Sequence, residues 1–186
     1  GLLSTPGITY IEGEAKFIDK KIIEVNGTQM TADNIIIATG SHARLLPFIP
    51  AFNTPEGEAL KNKVLTSTEL LDIDHVPQTM AIIGAGVIGL ELASAFETFG
   101  SKVTVIEFLK ECLPSIDSDI AKRLRKTLEK RGINFNMNSG VKSIVATEDK
   151  KQAIVTFEQK GQEKQVIADI VLVATGRAAN IEGLGL

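Results

Sequence analysis

Met80-Ala-Ile-Ile-Gly84-Ala-Gly86-Val-Ile-Gly89-Leu-Glu91 is an apolar run that breaks into Gly-x-Gly-x-x-Gly and continues with helical spacing to Gly100. A strand that turns through such a loop into a helix is the outline of a dinucleotide-phosphate site. Each glycine permits one thing. Gly84 lets the strand end turn sharply. Gly86 lets the backbone N–H groups around Val87 and Ile88 approach a pyrophosphate with no Cβ in the way. Gly89 lets the helix lie close against the sheet. The helix then aims its dipole and unpaired N–H groups at the phosphates.

Immediately downstream, Lys102-Val-Thr-Val-Ile-Glu107 reads as the second strand of a βαβ unit. It ends in an acid about 20 residues past the glycines, where the ribose-binding carboxylate of such a unit belongs. Glu107 can accept hydrogen bonds from the adenosine ribose hydroxyls and would repel a 2′-phosphate, so NAD(H) is expected over NADP(H).

Further outward, Thr79 to Ile83 is the first strand and Gly86 to Phe99 the first helix, with Val87, Leu90, Ala93 and Phe96 at helical spacing. Asp117-Ser-Asp119 caps a second helix to about Arg131, on which Ile120, Leu124 and Leu128 form one apolar stripe. Ile133 to Asn136 is a short third strand. After Gly140 the pattern alternates, with Val141 to Thr147, Gln152 to Phe157 and Gln165 to Ala168 separated by polar turns at Asp149-Lys150 and Lys160-Gly161. A β meander therefore replaces the next crossover helix. Ile170-Val-Leu-Val-Ala-Thr-Gly176 is nearly continuous in apolar residues, as central parallel strands are.

Upstream, β-type runs cover Ile8 to Phe17, Lys21 to Val25, Gln29 to Ala32 and Asn34 to Thr39, with Asn26-Gly27 as a type I′ hairpin turn. A Pro-bearing connector follows from Leu46 to Pro55. Thr66 to Leu71 reads as a short helix capped by Ser67 or Thr68, with Leu70 and Leu71 buried. The fold class is α/β: a Rossmann-like βαβ domain with a parallel sheet and an antiparallel β meander.

Composition narrows the function. The chain of 186 residues is 44% hydrophobic and 23% charged, with a formal net charge of −3, which suits a soluble globular protein and gives no electrostatic reason to expect nucleic acid. Met80 to Leu90, the longest apolar run, is too short to span a bilayer, and no secretory leader pattern opens the chain. The basic cluster Lys122, Arg123, Arg125, Lys126, Lys130 and Arg131 reads as the solvated face of an amphipathic helix. Cys112 is the only cysteine, so no intrachain disulfide or Cys-x-x-Cys pair exists, and a reducing, cytoplasmic setting is expected. Cys112 itself reads as a non-catalytic thiol. His42 and His75 stand far apart and away from any ligand cluster, so no metal is expected.

Two Ala-Thr-Gly strand ends, at Thr39-Gly40 and Thr175-Gly176, flank the glycine loop, joined by Thr66-Ser67-Thr68, Ile88-Gly89-Leu90-Glu91, Val103-Thr-Val-Ile-Glu107-Phe108 and Gly176-Arg177. Over nearly its whole length the chain resembles the middle of a flavin-dependent pyridine nucleotide-disulfide oxidoreductase, most closely the dihydrolipoamide dehydrogenase branch. The resemblance implies that residues 1–44 end the first segment of an FAD domain, 45–170 form the NAD domain, and 171–186 return to the FAD domain. It assigns Gly84, Gly86, Val87, Ile88, Gly89 and Glu107 to NAD, and Thr39, Gly40, Gly176 and Arg177 to cofactor contacts at the two strand ends. Asn180 matches the same returning segment.

Glu91 matches a family glutamate beside the nicotinamide, although a carboxylate early in a helix also favours the dipole. The family's first flavin loop, redox Cys-x4-Cys pair and late His and Glu base have no match here. With Gly1 first and Gly-Leu-Gly-Leu186 last, the chain reads as an excised piece that holds the final hydride acceptor. The implied cofactors are NAD and, in a complete enzyme, FAD; the implied partners are a lipoamide-bearing protein and a second subunit in a homodimer. Other NADH-using flavoproteins of the family and a stand-alone nucleotide-binding module remain open. His42-Ala43 and Ala178-Ala179 depart from the usual pattern and bear on the branch more than on the fold.

Overall fold

The computed structural model describes residues 2–47, 49 and 54–186, so part of the expected connector from Leu46 to Pro55 lies outside the described residues. The chain divides into two compact units, Gly1–His42 with Ala178–Leu186, and Ala43–Arg177.

In the first unit, β1 (Ala15–Asp19), β2 (Ile22–Val25) and β3 (Thr28–Thr31) form an antiparallel sheet in that order. Asn26 and Gly27 have φ of 52° and 77°, positive at both central positions as a type I′ turn requires, and Val25 faces Thr28. The expected strand from Ile8 shortens to β1. The expected strand over Asn34 to Thr39 does not form: this stretch pairs with no strand among the described residues, and Ile36 is 90% exposed. Its apolar composition satisfies the pattern for a strand, but a ladder also needs a neighbour to receive its N–H and C=O groups.

β4 (Ser41–Ala43) carries the chain into the second unit, where α1 (Pro55–Leu60), β5 (Val64–Leu65) and α2 (Ser67–Leu70) follow. The cap of α2 is Thr66, one residue earlier than the sequence suggests. Its hydroxyl accepts from the Thr68 N–H while the Glu69 carboxylate accepts from the Thr66 N–H at 2.8 Å, a reciprocal capping box. Leu70 is buried, but Leu71 is 74% exposed because a single helical turn can present only one of two adjacent leucines to the core.

Next come β6 (Thr79–Ile83), α3 (Val87–Thr98), β7 (Lys102–Ile106), α4 (Ser118–Arg131), β8 (Asn134–Asn136), β9 (Ser139–Ala146), β10 (Ala153–Gln159), β11 (Gln162–Ala168), β12 (Ile170–Val173) and β13 (Arg177–Ala179). A five-stranded parallel sheet has the order β5-β12-β6-β7-β8, and β9 to β11 form the expected antiparallel meander. Alternation along the parallel strands explains the layering. Met80, Ile82, Val103, Val105 and Leu172 point to one face, against Leu90, Ala93 and Phe96 of α3 and Ala121 and Leu128 of α4. Ala81, Ile83, Ile106, Val171 and Val173 point to the other, against Ile144, Val155 and Phe157 of the meander. The sheet is thus buried between helices and a second sheet, which is why its strands are apolar on both faces.

One expectation shifts in detail. On α4, Ala121 and Leu128 are buried while Ile120 and Leu124 are exposed, so the helix docks on a face rotated from the Ile120-Leu124-Leu128 stripe. The compact units divide at 42/43 and 177/178, a division of packing that is distinct from the cofactor-domain bounds at 44/45 and 170/171 implied by the resemblance. β12 is hydrogen-bonded to both β5 and β6, which keeps 170–177 in the second unit.

Candidate functional site

Successive strands leave β6 in opposite directions, β7 and β8 to one side and β12 and β5 to the other, so a crevice opens beyond the carboxyl ends of β6 and β12. The glycine loop fills that switch point. Gly84 has φ of +104°, and a Cβ there would lie 2.5 Å from the Ala174 carbonyl oxygen, so strand and turn can close only on glycine. A Cβ on Gly89 would be driven into the Gly84 carbonyl oxygen, so α3 owes its close approach to that residue. Gly86 differs from both. Its φ is −77° and a Cβ would meet nothing within 4 Å, so its bareness serves open space rather than packing. It also begins α3 with no side-chain cap, so no side chain takes up the first N–H groups of the helix.

Glu107 stands just past β7 and is buried. Its Oε2 accepts from the Ala85 N–H at 2.6 Å and its Oε1 from the Leu109 N–H at 2.8 Å. A carboxylate offers about four lone-pair positions, so capacity remains for a ligand's hydroxyls. With Gly84, Phe108, Pro114, Val141 and Thr175, Glu107 lines a cavity of about 560 Å³, a volume in the range of small-molecule sites. On the other side of the loop, Val87, Ile88, Gly176 and Arg177 line a smaller hollow of about 170 Å³ with Ser67 and Ala174. An uncapped helix start, a glycine backed by open space and a buried acid facing a cavity together fit a dinucleotide.

The remaining candidates lie elsewhere. Thr39 and Gly40 belong to the first unit and are tied to Asn180: the Thr39 hydroxyl donates to the Asn180 carbonyl at 2.6 Å, and the Asn180 N–H donates to the Gly40 carbonyl at 3.0 Å. His42 Nδ1 is 2.6 Å from the Asn180 side-chain oxygen, and His75 Nδ1 is 2.9 Å from Asp74. Glu91 is exposed on α3 and lines a groove facing α4 rather than either hollow. The first unit has its own hollow, about 580 Å³ beside Phe17, Ile35 and Leu186, but no buried carboxylate lines it.

In the loop after β7 the sequence reading singled out only Cys112 and missed the residue before it. There Glu111 receives a two-pronged bond from Arg125 of α4, Nε to Oε1 at 2.6 Å and Nη2 to Oε2 at 3.0 Å, and Arg125 Nη1 also donates to Glu129 at 2.5 Å. Arg131 pairs with Glu97. Arg125 and Arg131 are therefore engaged with carboxylates, while Lys122, Arg123, Lys126 and Lys130 keep the exposed face expected of the cluster. Only the i,i+4 spacing of Arg125 and Glu129 was visible in advance.

The Arg125 fork, opposed by burial and helped by the Cys112 N–H, holds the Glu111 carboxyl at about 2, against an ordinary value of 4.5. A group depressed on folding contributes stability that is complete above its unfolded value and is lost as pH falls toward its folded one. The stability gap between wild type and Glu111→Gln in urea titrations should therefore be full at pH 6 and narrow steadily from pH 4.5 downward. A gap independent of pH would show that the ion pair is not its source. Next to it, burial and the neighbouring Glu111 charge push the Cys112 thiol up to about 11, and its Sγ donates to the Ala121 carbonyl at 3.4 Å. Such a thiol is protonated and unreactive at neutral pH.

The sequence profile of the pyridine nucleotide-disulphide oxidoreductases matches residues 1–186. The chain belongs to that family. It is 37% identical over 191 residues to dihydrolipoamide dehydrogenase of Chaetomium thermophilum, covering 100% of this chain and 36% of that one. It is 36% identical to mercuric reductase of Staphylococcus aureus, covering 100% of this chain and 32% of that one. Among solved structures, the Cu(II) complex of the HOCl-induced flavoprotein disulfide reductase RclA from Escherichia coli superposes with a TM-score of 0.75 at 32% identity, over 99% of this chain and 39% of that one. The chain thus spans about a third of the length of these two relatives.

Proposed function

We propose that the chain is the NAD-binding portion of a dihydrolipoyl dehydrogenase-like flavoenzyme, positioning NAD⁺ to accept hydride from reduced FAD. The observation that carries this reading is the buried Glu107 carboxylate sharing one cavity with the glycine turn at Gly84. Gly86, Val87, Ile88 and Gly89 present backbone N–H groups to a pyrophosphate and Glu107 accepts from the adenosine ribose, while Glu91, turned to the groove beside α4, takes no part in either hollow. Bound NAD⁺ supplies the hydride acceptor; the protein's own part is to bind it, orient it and keep a second anion away from the ribose.

Thr39, Gly40, Gly176 and Arg177 are assigned to the flavin side. FAD, a lipoamide-bearing protein and a homodimeric partner belong to the complete enzyme, and the isolated chain is not expected to turn over. The near-equal identities to a dihydrolipoamide dehydrogenase and a mercuric reductase favour, as a second reading, another NADH-using flavoprotein of the family.

Titrating the chain with NADH and NADPH and following nicotinamide fluorescence tests the assignment. NADH should bind about tenfold tighter or better, a difference of about 1.4 kcal/mol. Equal affinities would remove the ribose role of Glu107, and no binding of either would remove the nucleotide reading altogether.

A further inference from the structure

The glycine loop is gripped from the side by the segment after β7, and that segment is gripped in turn by α4. Ala85, the residue between Gly84 and Gly86, donates its N–H to Glu107 Oε2 at 2.6 Å, and its carbonyl accepts the Leu113 N–H at 3.0 Å. Both peptide groups of the loop's middle residue are therefore fixed by residues 107–113. Leu113 makes its bond from an unfavourable conformation. Its φ is +49°, in the left-handed region that bulky side chains rarely enter, and its side chain is buried. Backbone strain of this kind persists only where the surroundings over-determine it.

The Arg125 fork on Glu111 supplies that over-determination. It closes two residues before Leu113, with the Cys112 N–H donating to the same Glu111 carboxylate at 3.1 Å and the Cys112 thiol donating to Ala121 of α4. Planar two-point contact fixes orientation as well as distance, which a lysine at the same place would not do.

We propose that Arg125 and Glu111 are positioning residues for nucleotide binding: they lock the 107–113 segment onto α4 so that Leu113 and Glu107 hold Ala85 and set the curvature of the pyrophosphate loop. Neither side chain touches the ligand cavity. Their effect runs through Leu113 and Ala85, and the inference rests on the nucleotide reading of the glycine loop.

The test uses the full chain as wild type, Arg125→Ala and Arg125→Lys, with two readouts at a temperature where all three are folded. Amide hydrogen exchange without ligand reports the brace, and NADH titration reports its consequence. In Arg125→Ala the Ala85 and Leu113 amides should exchange about tenfold faster while amides within β6 keep wild-type protection, and NADH affinity should fall about tenfold. Arg125→Lys should recover part of both effects. Wild-type exchange and affinity in Arg125→Ala would overturn the proposal, and so would exchange that rises equally in β6, since that is ordinary destabilisation. A wild-type chain that binds no NADH would instead overturn the nucleotide reading, and the brace would lose its purpose with it.

Discussion

Gly89→Ala should destabilise the second unit by about 3 kcal/mol, even though alanine is the better helix former by about 1 kcal/mol. Position 89 is the third residue of α3, and a Cβ there would be driven into the Gly84 carbonyl oxygen and come within 3.4 Å of the Ile82 side chain. The first obstacle is backbone at the end of β6, so no rotamer change relieves it. Either α3 lifts off the sheet or the turn at Gly84 opens, and the packing of Leu90, Ala93 and Phe96 loosens with it. For a unit of this size the loss corresponds to a midpoint lower by about 6–12 °C in thermal unfolding.

Gly86→Ala is the control that separates packing from ligand approach. Nothing stands within 4 Å of its added methyl group and φ is −77°, so stability should stay within about 0.5 kcal/mol of wild type. A Gly89→Ala protein with an unshifted midpoint, or a Gly86→Ala protein that melts as early, would refute this division of labour.

What the sequence revealed and what it hid follow one physical line. The βαβ unit was legible because its signals are local: Gly84 and Gly89 sit where a turn and a tight contact leave no room for a Cβ, and Gly86 between them opens on free space. The meander was legible for the same reason, since alternation and polar turns at Lys150 and Lys160-Gly161, all with positive φ, lie within short windows. Asn34 to Thr39 misled because a strand's existence depends on a partner. β5 was invisible because two residues, Val64 and Leu65, carry no period, and only their pairing with Val171 and Leu172 makes them a strand. The Leu46 to Pro55 stretch reads as connector throughout, yet α1 starts at its last residue, Pro55, with Thr54 capping it through the Gly57 N–H.

At the candidate site, the glycines and Glu107 could be named from their place in the strand–helix–strand pattern, since the glycine spacing carries little without that context. The two jobs of Glu107 could not, because its bonds to Ala85 and Leu109 exist only once β6 and β7 lie side by side. Arg125 shows the opposite error: a charge within a basic run reads as solvated, and only the folded loop brings Glu111, fourteen residues earlier, under its guanidinium.

Glu107→Ala should weaken NADH binding about thirtyfold, the effect of losing hydrogen bonds to a charged acceptor worth about 2 kcal/mol. NADPH should lose far less, because removing the carboxylate also removes its repulsion of the 2′-phosphate, so the preference between the two nucleotides should collapse. The same substitution strips acceptors from the Ala85 and Leu109 N–H groups, and a slackened glycine loop could weaken binding with no ribose contact involved. ADP and 2′-deoxy-ADP separate the two causes. If Glu107 holds the 2′-hydroxyl, its removal costs the wild type affinity and costs Glu107→Ala nothing further. If both proteins pay the same penalty for the missing hydroxyl, Glu107 acts on the loop alone and the ribose assignment fails. Glu107→Gln should not rescue either function: its amide NH₂ would have to face one of two backbone donors that now point at carboxylate oxygens, so the variant should resemble Glu107→Ala in both its NADH affinity and its lost selectivity.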